Sequence, residues 1–124
     1  MLPVEQRLSE NQDFRAIYSR GRSFAHSLTV LYVMRRQGAA ADVAAGRRIG
    51  FVVSKKQGNA VARNRIKRRL REAVRLCLPD IRAGQFDLIF LGRKPLKSAD
   101  WMDIQKAISE LLGRADLLVP DRTA

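Results

Sequence analysis

Apolar spacing along the chain changes period several times, and each change marks an element. In SENQDFRAIYSRG, Phe14, Ile17 and Tyr18 fall on one helical face. Ser9 and Gln12 stand at capping-box spacing, and Gly21 is the predicted stop. SFAHSLTVLYVMR is rich in β-branched and aromatic residues and predicts one strand or two short ones. RQGAAADVAAG is small and without period, which predicts a flexible hairpin loop over residues 37–46. RRIGFVVSKK predicts the next strand, broken by QGN.

From Ala62 the period becomes that of a helix. Ala62, Ile66, Leu70, Ala73 and Cys77 fall within a sector of about 80° at 3.6 residues per turn. Asn64, Lys67, Arg68, Arg71 and Arg75 lie opposite, Arg63 and Arg69 flank the apolar stripe, and Arg65 sits on one shoulder. Pro79 ends the helix at Leu78. QFDLIFLGRKP predicts a buried strand. A last helix follows, with Ser98 as N-cap, Asp100 in the first turn, and Trp101, Ile104, Ile108, Leu111 and Leu112 as its apolar face. Gly113 is its predicted stop, and a frayed tail is expected from about residue 115 to 124. The order α-β-β-β-α-β-α predicts an α+β sandwich, one mixed sheet with helices packed against it, in a single domain spanning 1–124.

Composition sharpens this. A chain of 124 residues, 46% apolar, is one ordinary domain with a core of its own. Its formal charge is +12 and its pI about 11.2, which points to an anionic partner. Residues 47–75 hold eleven basic side chains and one acid, Glu72, against thirteen and eleven in the remainder. One continuous piece of chain therefore owns the positive field. Like charges at helical neighbours (Lys67 with Arg71, Arg68 with Arg71, Arg71 with Arg75) each cost a few tenths of a kcal/mol, roughly, in an isolated helix, and a bound polyanion relieves them. Guanidinium groups grip phosphate through paired donors, so nucleic acid is favoured over a solvated polar face. The small Ala62, Ala73 and Cys77 suit core packing better than a membrane surface.

Other function classes are excluded or thinned. The lone Cys77 makes no disulfide framework, no leader-like apolar segment opens the chain, and no apolar run reaches the roughly 18 residues of a membrane span. A soluble cytoplasmic RNA-binding domain with no protein partner is expected. A metal-dependent nuclease needs clustered carboxylates, and the acids here are scattered; a metal-free one needs a His with a partner, and His26 is alone. No catalytic or metal-ligating residue is therefore assigned, and His26 and Cys77 are read as structural.

The string SKKQGNAVARNRIKRRLREA closely resembles the signature of the protein subunit of bacterial ribonuclease P. That family carries an Arg-Asn-Arg triplet at the head of a basic helix, after a Lys-rich strand end and a Gly-Asn-Ala turn. Here these are Arg63-Asn64-Arg65, Lys55-Lys56 and Gly58-Asn59-Ala60. NQDFRAIYSRGRS looks like the family's first helix with its two aromatic positions, and LGRKPLK like its last strand and exit loop. The resemblance implies a left-handed βαβ crossover, against the usual preference. It implies that a catalytic RNA subunit removes the 5′ leader of precursor tRNA with Mg²⁺ bound mainly by the RNA, while the protein assists and needs no cofactor of its own. Carried over by position, Arg63, Asn64, Arg65, Lys67, Arg68 and Arg71 would contact the RNA subunit. Phe14, Tyr18, Tyr32, Ser54, Lys55, Lys56, Arg93 and Lys94 would form the leader cleft.

Each assignment has a plainer counterpart. Phe14 and Tyr18, four residues apart, are equally a core pair, Lys55 and Lys56 are equally edge-strand charges that block sheet pairing, and Asn64 is equally a helix-start residue. A ribosome-associated or general RNA-binding protein is the alternative function, and a DNA-binding domain a third.

Overall fold

The computed structural model describes residues 11–35, 48–82, 84 and 86–118. Helix α1 (Asn11–Arg20) ends where predicted. The reason at Gly21 is proximity rather than a left-handed turn. A Cβ there would stand 2.5 Å from the Ile17 carbonyl oxygen and 2.8 Å from that of Val33. Glycine therefore lets the chain leave the helix directly onto the sheet. Ser9, the predicted capping residue, lies outside the described residues.

The apolar segment after Gly21 is two strands, β1 (Arg22–Ala25) and β2 (Thr29–Arg35), paired antiparallel with Phe24 opposite Leu31. Strands β3 (Arg48–Val53) and β4 (Phe86–Gly92) complete a sheet of order β1-β2-β4-β3. β4 pairs antiparallel with β2 and parallel with β3. This order overturns the hairpin expectation for residues 37–46. β2 and β3 are not neighbours, because β4 enters between them, and the connection spans a strand rather than closing a hairpin. The central place of β4 explains its unbroken apolar run, since it is covered on both faces.

Helix α2 (Ala60–Cys77) joins the parallel pair β3 and β4, and α3 (Trp101–Arg114) closes the chain's fold. Period-two alternation in the strands divides the interior. Leu31, Leu88, Phe90, Ile49 and Val53 meet Ile66, Leu70, Ala73 and Val74 of α2 and Ile104, Ala107, Ile108, Leu111 and Leu112 of α3. On the opposite face only Ile17 and Ile89 are fully buried, with Phe14, Tyr32, Met34 and Val52 packed around them. Thus one sheet face carries a thick core and the other a thin one under α1.

Several sequence expectations change. Asp100, not Ser98, is the N-cap of α3, and Ser98 belongs to a 3₁₀ turn, Lys94–Ser98. Trp101 is 37% exposed and outside the core, while Val74 and Ala107 are inside it. The turn pulls the start of α3 away from the sheet, so the helix's first residue cannot reach the interior. Gly113 lies within the helix, whose exit is made by Asp116 at φ 58. The expected fraying does not begin at 115. Leu117 is buried, Leu118 bridges to Ile81, and the Arg82 N–H donates to the Leu117 carbonyl at 2.6 Å.

Candidate nucleic-acid interface

Parallel pairing of β3 with β4 sets the site. Val53 stands opposite Gly92, so Ser54-Lys55-Lys56 and Arg93-Lys94 leave the sheet side by side. The Ser54 hydroxyl accepts from the Lys56 N–H at 3.2 Å and caps a 3₁₀ turn, Lys55–Gln57. Gly58 at φ 130 then reverses the chain, a conformation that an L side chain adopts only under strain. The Asn59 side chain accepts from the Ala62 N–H at 2.9 Å and starts α2. The Gly-Asn-Ala turn is therefore a capping device that aims the basic helix.

The six α2 residues divide by exposure. Asn64, Arg65 and Arg68 are exposed; Arg63, Lys67 and Arg71 are half-buried. The Arg71 guanidinium lies 5.9 Å from the centre of the Phe51 ring. The Nε of Arg63 is buried without a hydrogen-bond partner. Two cations of this helix are engaged within the fold. Arg75 donates to Glu72 at 2.7 Å, which holds the Glu72 carboxyl below its usual range and keeps the Arg75 guanidinium protonated. Arg69 donates to the carbonyls of Leu96 (3.1 Å), Lys97 (3.2 Å) and Ala99 (2.6 Å), and so fastens the exit loop to α2.

On the other sheet face, Phe14 and Tyr32 border the small cluster under α1 and are half-buried. Tyr18 is 42% exposed, and its ring meets Tyr32 edge-on with centroids 4.9 Å apart. Burial, then the neighbouring Tyr32, raises the Tyr18 phenol's pKa and keeps it a neutral hydrogen-bond donor. Lys55, Lys56 and Lys94 are exposed and, among the described residues, pair with no carboxylate. Arg93 is already engaged, donating from Nη1 to the His26 carbonyl at 3.0 Å. The structure thus brings an aromatic rim, a lysine-bearing strand end and the arginine face of α2 onto one molecule, with the strand-end turn leading directly into the helix.

Comparison with known proteins places this arrangement. A family model for ribonuclease P matches residues 2–116. The chain belongs to the ribonuclease P protein family. It is 38% identical over 112 residues to the ribonuclease P protein component of Clostridium beijerinckii, covering 90% of this chain and 89% of that one. It is 45% identical over 113 residues to that of Herpetosiphon aurantiacus, covering 90% and 85%. The solved ribonuclease P protein of Staphylococcus aureus superposes with a TM-score of 0.77 at 33% identity, covering 92% of this chain and 98% of that one. The ribonuclease P protein of Thermotoga maritima gives 0.73 at 29%, covering 87% and 96%. Membership in the ribonuclease P family carries the role of protein subunit in tRNA processing, which the general RNA-binding alternative lacked.

Sequence reasoning missed Arg69 as a clamp and the pair Arg48–Asp87. Arg48 donates to the buried Asp87 carboxylate from Nε at 2.9 Å and from Nη2 at 2.8 Å. The partners are 39 residues apart and meet only through the β3–β4 register, so no local signal could reveal them.

Proposed function

We propose that this protein works as the non-catalytic subunit, with the hydrolytic chemistry in an RNA subunit. Asn64, Arg65 and Arg68, extended by Arg63, Lys67 and Arg71, hold that RNA. Phe14, Tyr18 and Tyr32 with Ser54, Lys55, Lys56, Arg93 and Lys94 hold the single-stranded 5′ leader of precursor tRNA. The observation that carries this reading is the half-exposed aromatic rim beside unpaired lysines, on the face opposite the thick core. Bases stack on such rings for about 1–3 kcal/mol each whatever their sequence, and Lys and Arg track the phosphates.

Mg²⁺ is assigned to the RNA. Among the described residues no group of three or more His, Cys, Asp or Glu side chains converges to ligate a metal. Asp87, the buried carboxylate, is held by Arg48. Among the described residues no helix is long and apolar enough to cross a membrane, and a cytoplasmic site of action fits the reading.

The test is cleavage of a precursor tRNA at low Mg²⁺ by a bacterial ribonuclease P RNA, with and without the protein, and by the protein alone. Cleavage requiring both components is expected. Cleavage by the protein alone would refute the assignment of chemistry to RNA, and binding without any rate gain would restore the general RNA-binding reading. The double variant Phe14→Ala/Tyr18→Ala should weaken precursor binding with little change toward mature tRNA; equal loss for both would count against the leader cleft.

A further inference from the structure

At the end of the sheet opposite Lys55 and Arg93, the C-terminus of α1, the start of β1, the end of β2 and the exit of α3 enclose a half-open cavity of about 490 Å³. Arg20, Arg22, Arg35 and Arg82 line it, with Phe86 and Leu117 among its apolar walls. Among the described residues Arg20, Arg22 and Arg35 have no carboxylate partner, and the one acid in the lining, Asp116, stands 3.7 Å from Arg82.

Two of these guanidiniums are held by rings. That of Arg22 lies 5.1 Å from the centre of Phe24, and that of Arg35 lies 5.3 Å from the centre of Phe86. A ring occupies the flat face of a guanidinium and leaves its in-plane N–H donors unspent, so both groups are positioned before any ligand arrives. Each arginine has a plain role when taken alone. Arg20 complements the C-terminal dipole of α1, and Arg22 is a charge on an edge strand. Neither role accounts for four arginines converging on one cavity with a single acid.

We propose that this cavity is a second phosphate-binding site, taking a phosphodiester of a structured RNA against Arg20, Arg22 and Arg35 with the attached ribose on the apolar wall. β4 spans the sheet between the two ends, and its seven residues at about 3.3 Å each put the cavity about 20 Å from the strand-end lysines. It is therefore separate from the leader surface. With a contact at each end of the sheet, the protein is oriented on its RNA as well as attached to it. The inference rests on the reading that the protein works bound to RNA, and the phosphate comes either from the RNA subunit or from the tRNA body.

The test is the salt dependence of binding for Arg22→Gln/Arg35→Gln, measured in two arms: the protein with ribonuclease P RNA alone, and the assembled complex with mature tRNA, which lacks the leader. The double variant is expected to lower the log–log salt slope by about one to two units, at roughly 0.7–0.9 per phosphate contact. A loss in the first arm assigns the phosphate to the RNA subunit, and a loss confined to the second assigns it to the tRNA. An unchanged slope in both arms overturns the site. So does an equal loss from Arg15→Gln/Lys106→Gln, which removes two exposed charges elsewhere and would expose a bulk-charge effect. If Arg22→Gln/Arg35→Gln melts well below the wild type, Arg20→Gln/Arg82→Gln replaces it and leaves both ring-held guanidiniums in place. Wild-type protein that binds neither RNA would instead refute the RNA-binding reading itself.

Discussion

Arg68 and Arg69 are neighbours in sequence with the same charge, and the structure gives them opposite work. Replacing Arg69 with Ala removes a guanidinium that donates three hydrogen bonds, at 2.6 to 3.2 Å, to carbonyls of Leu96, Lys97 and Ala99. Hydrogen bonds from a charged donor are each worth about 1.5–3 kcal/mol when well enclosed. Two of these three are part-buried and one is exposed, and water can replace part of each, so the net loss should be about 2–4 kcal/mol. That is a large share of the roughly 5–15 kcal/mol that holds a domain of this size. It should lower Tm by roughly 8–20 °C, at about 4–5 °C per kcal/mol for this length. Arg68→Ala touches no such partner and should move stability by less than about 0.5 kcal/mol. The assay is urea unfolding of both variants, followed by RNA binding against salt. Arg69→Ala should lose stability, and Arg68→Ala should lose about one unit of log–log slope toward the RNA subunit. An Arg69→Ala protein as stable as the wild type would refute the clamp. A destabilised Arg68→Ala would refute the division of labour.

Further outcomes can be checked with the same tools. Asp87→Asn leaves Arg48 facing a neutral amide in a buried setting and should cost about 3–5 kcal/mol, read as a shifted urea midpoint. An unchanged midpoint would mean that the pair is idle. Gly21→Ala forces a Cβ against two backbone carbonyl oxygens and should cost about 1–3 kcal/mol and loosen α1, seen as faster amide exchange over Asn11–Arg20. Arg65→Ala should lower the salt slope for the RNA subunit by about one unit, and no change would place that side chain in solvent. Burial raises the Cys77 thiol's pKa, so its thiolate appears only at higher pH than in the unfolded chain. At pH 8 the native protein should therefore react with a disulfide reagent more slowly than the urea-unfolded one, and equal rates would contradict the burial.

Elements with a strong period were legible in the sequence because their neighbours in space are also neighbours in sequence. The 3.6-residue rhythm of Ile66 and Leu70 located α2, Gly58-Asn59 announced its cap, and the crowding of like charge on its far side announced a polyanion. The same twenty-residue string pointed to the ribonuclease P family. What the tertiary structure decided was every relation between segments far apart in the chain. The insertion of β4 between β2 and β3 turned an expected hairpin into a longer connection. The parallel register then set Lys55 beside Arg93 and Arg48 against Asp87. It also sorted arginines that sequence alone treats as equivalent: Arg69 into a clamp, Arg71 onto a ring, Arg65 and Arg68 into solvent, and Arg20, Arg22, Arg35 and Arg82 around one cavity. Periodicity reports which side of its own element a residue occupies. What stands across from that side depends on strand order and register, and those depend on how the whole chain packs.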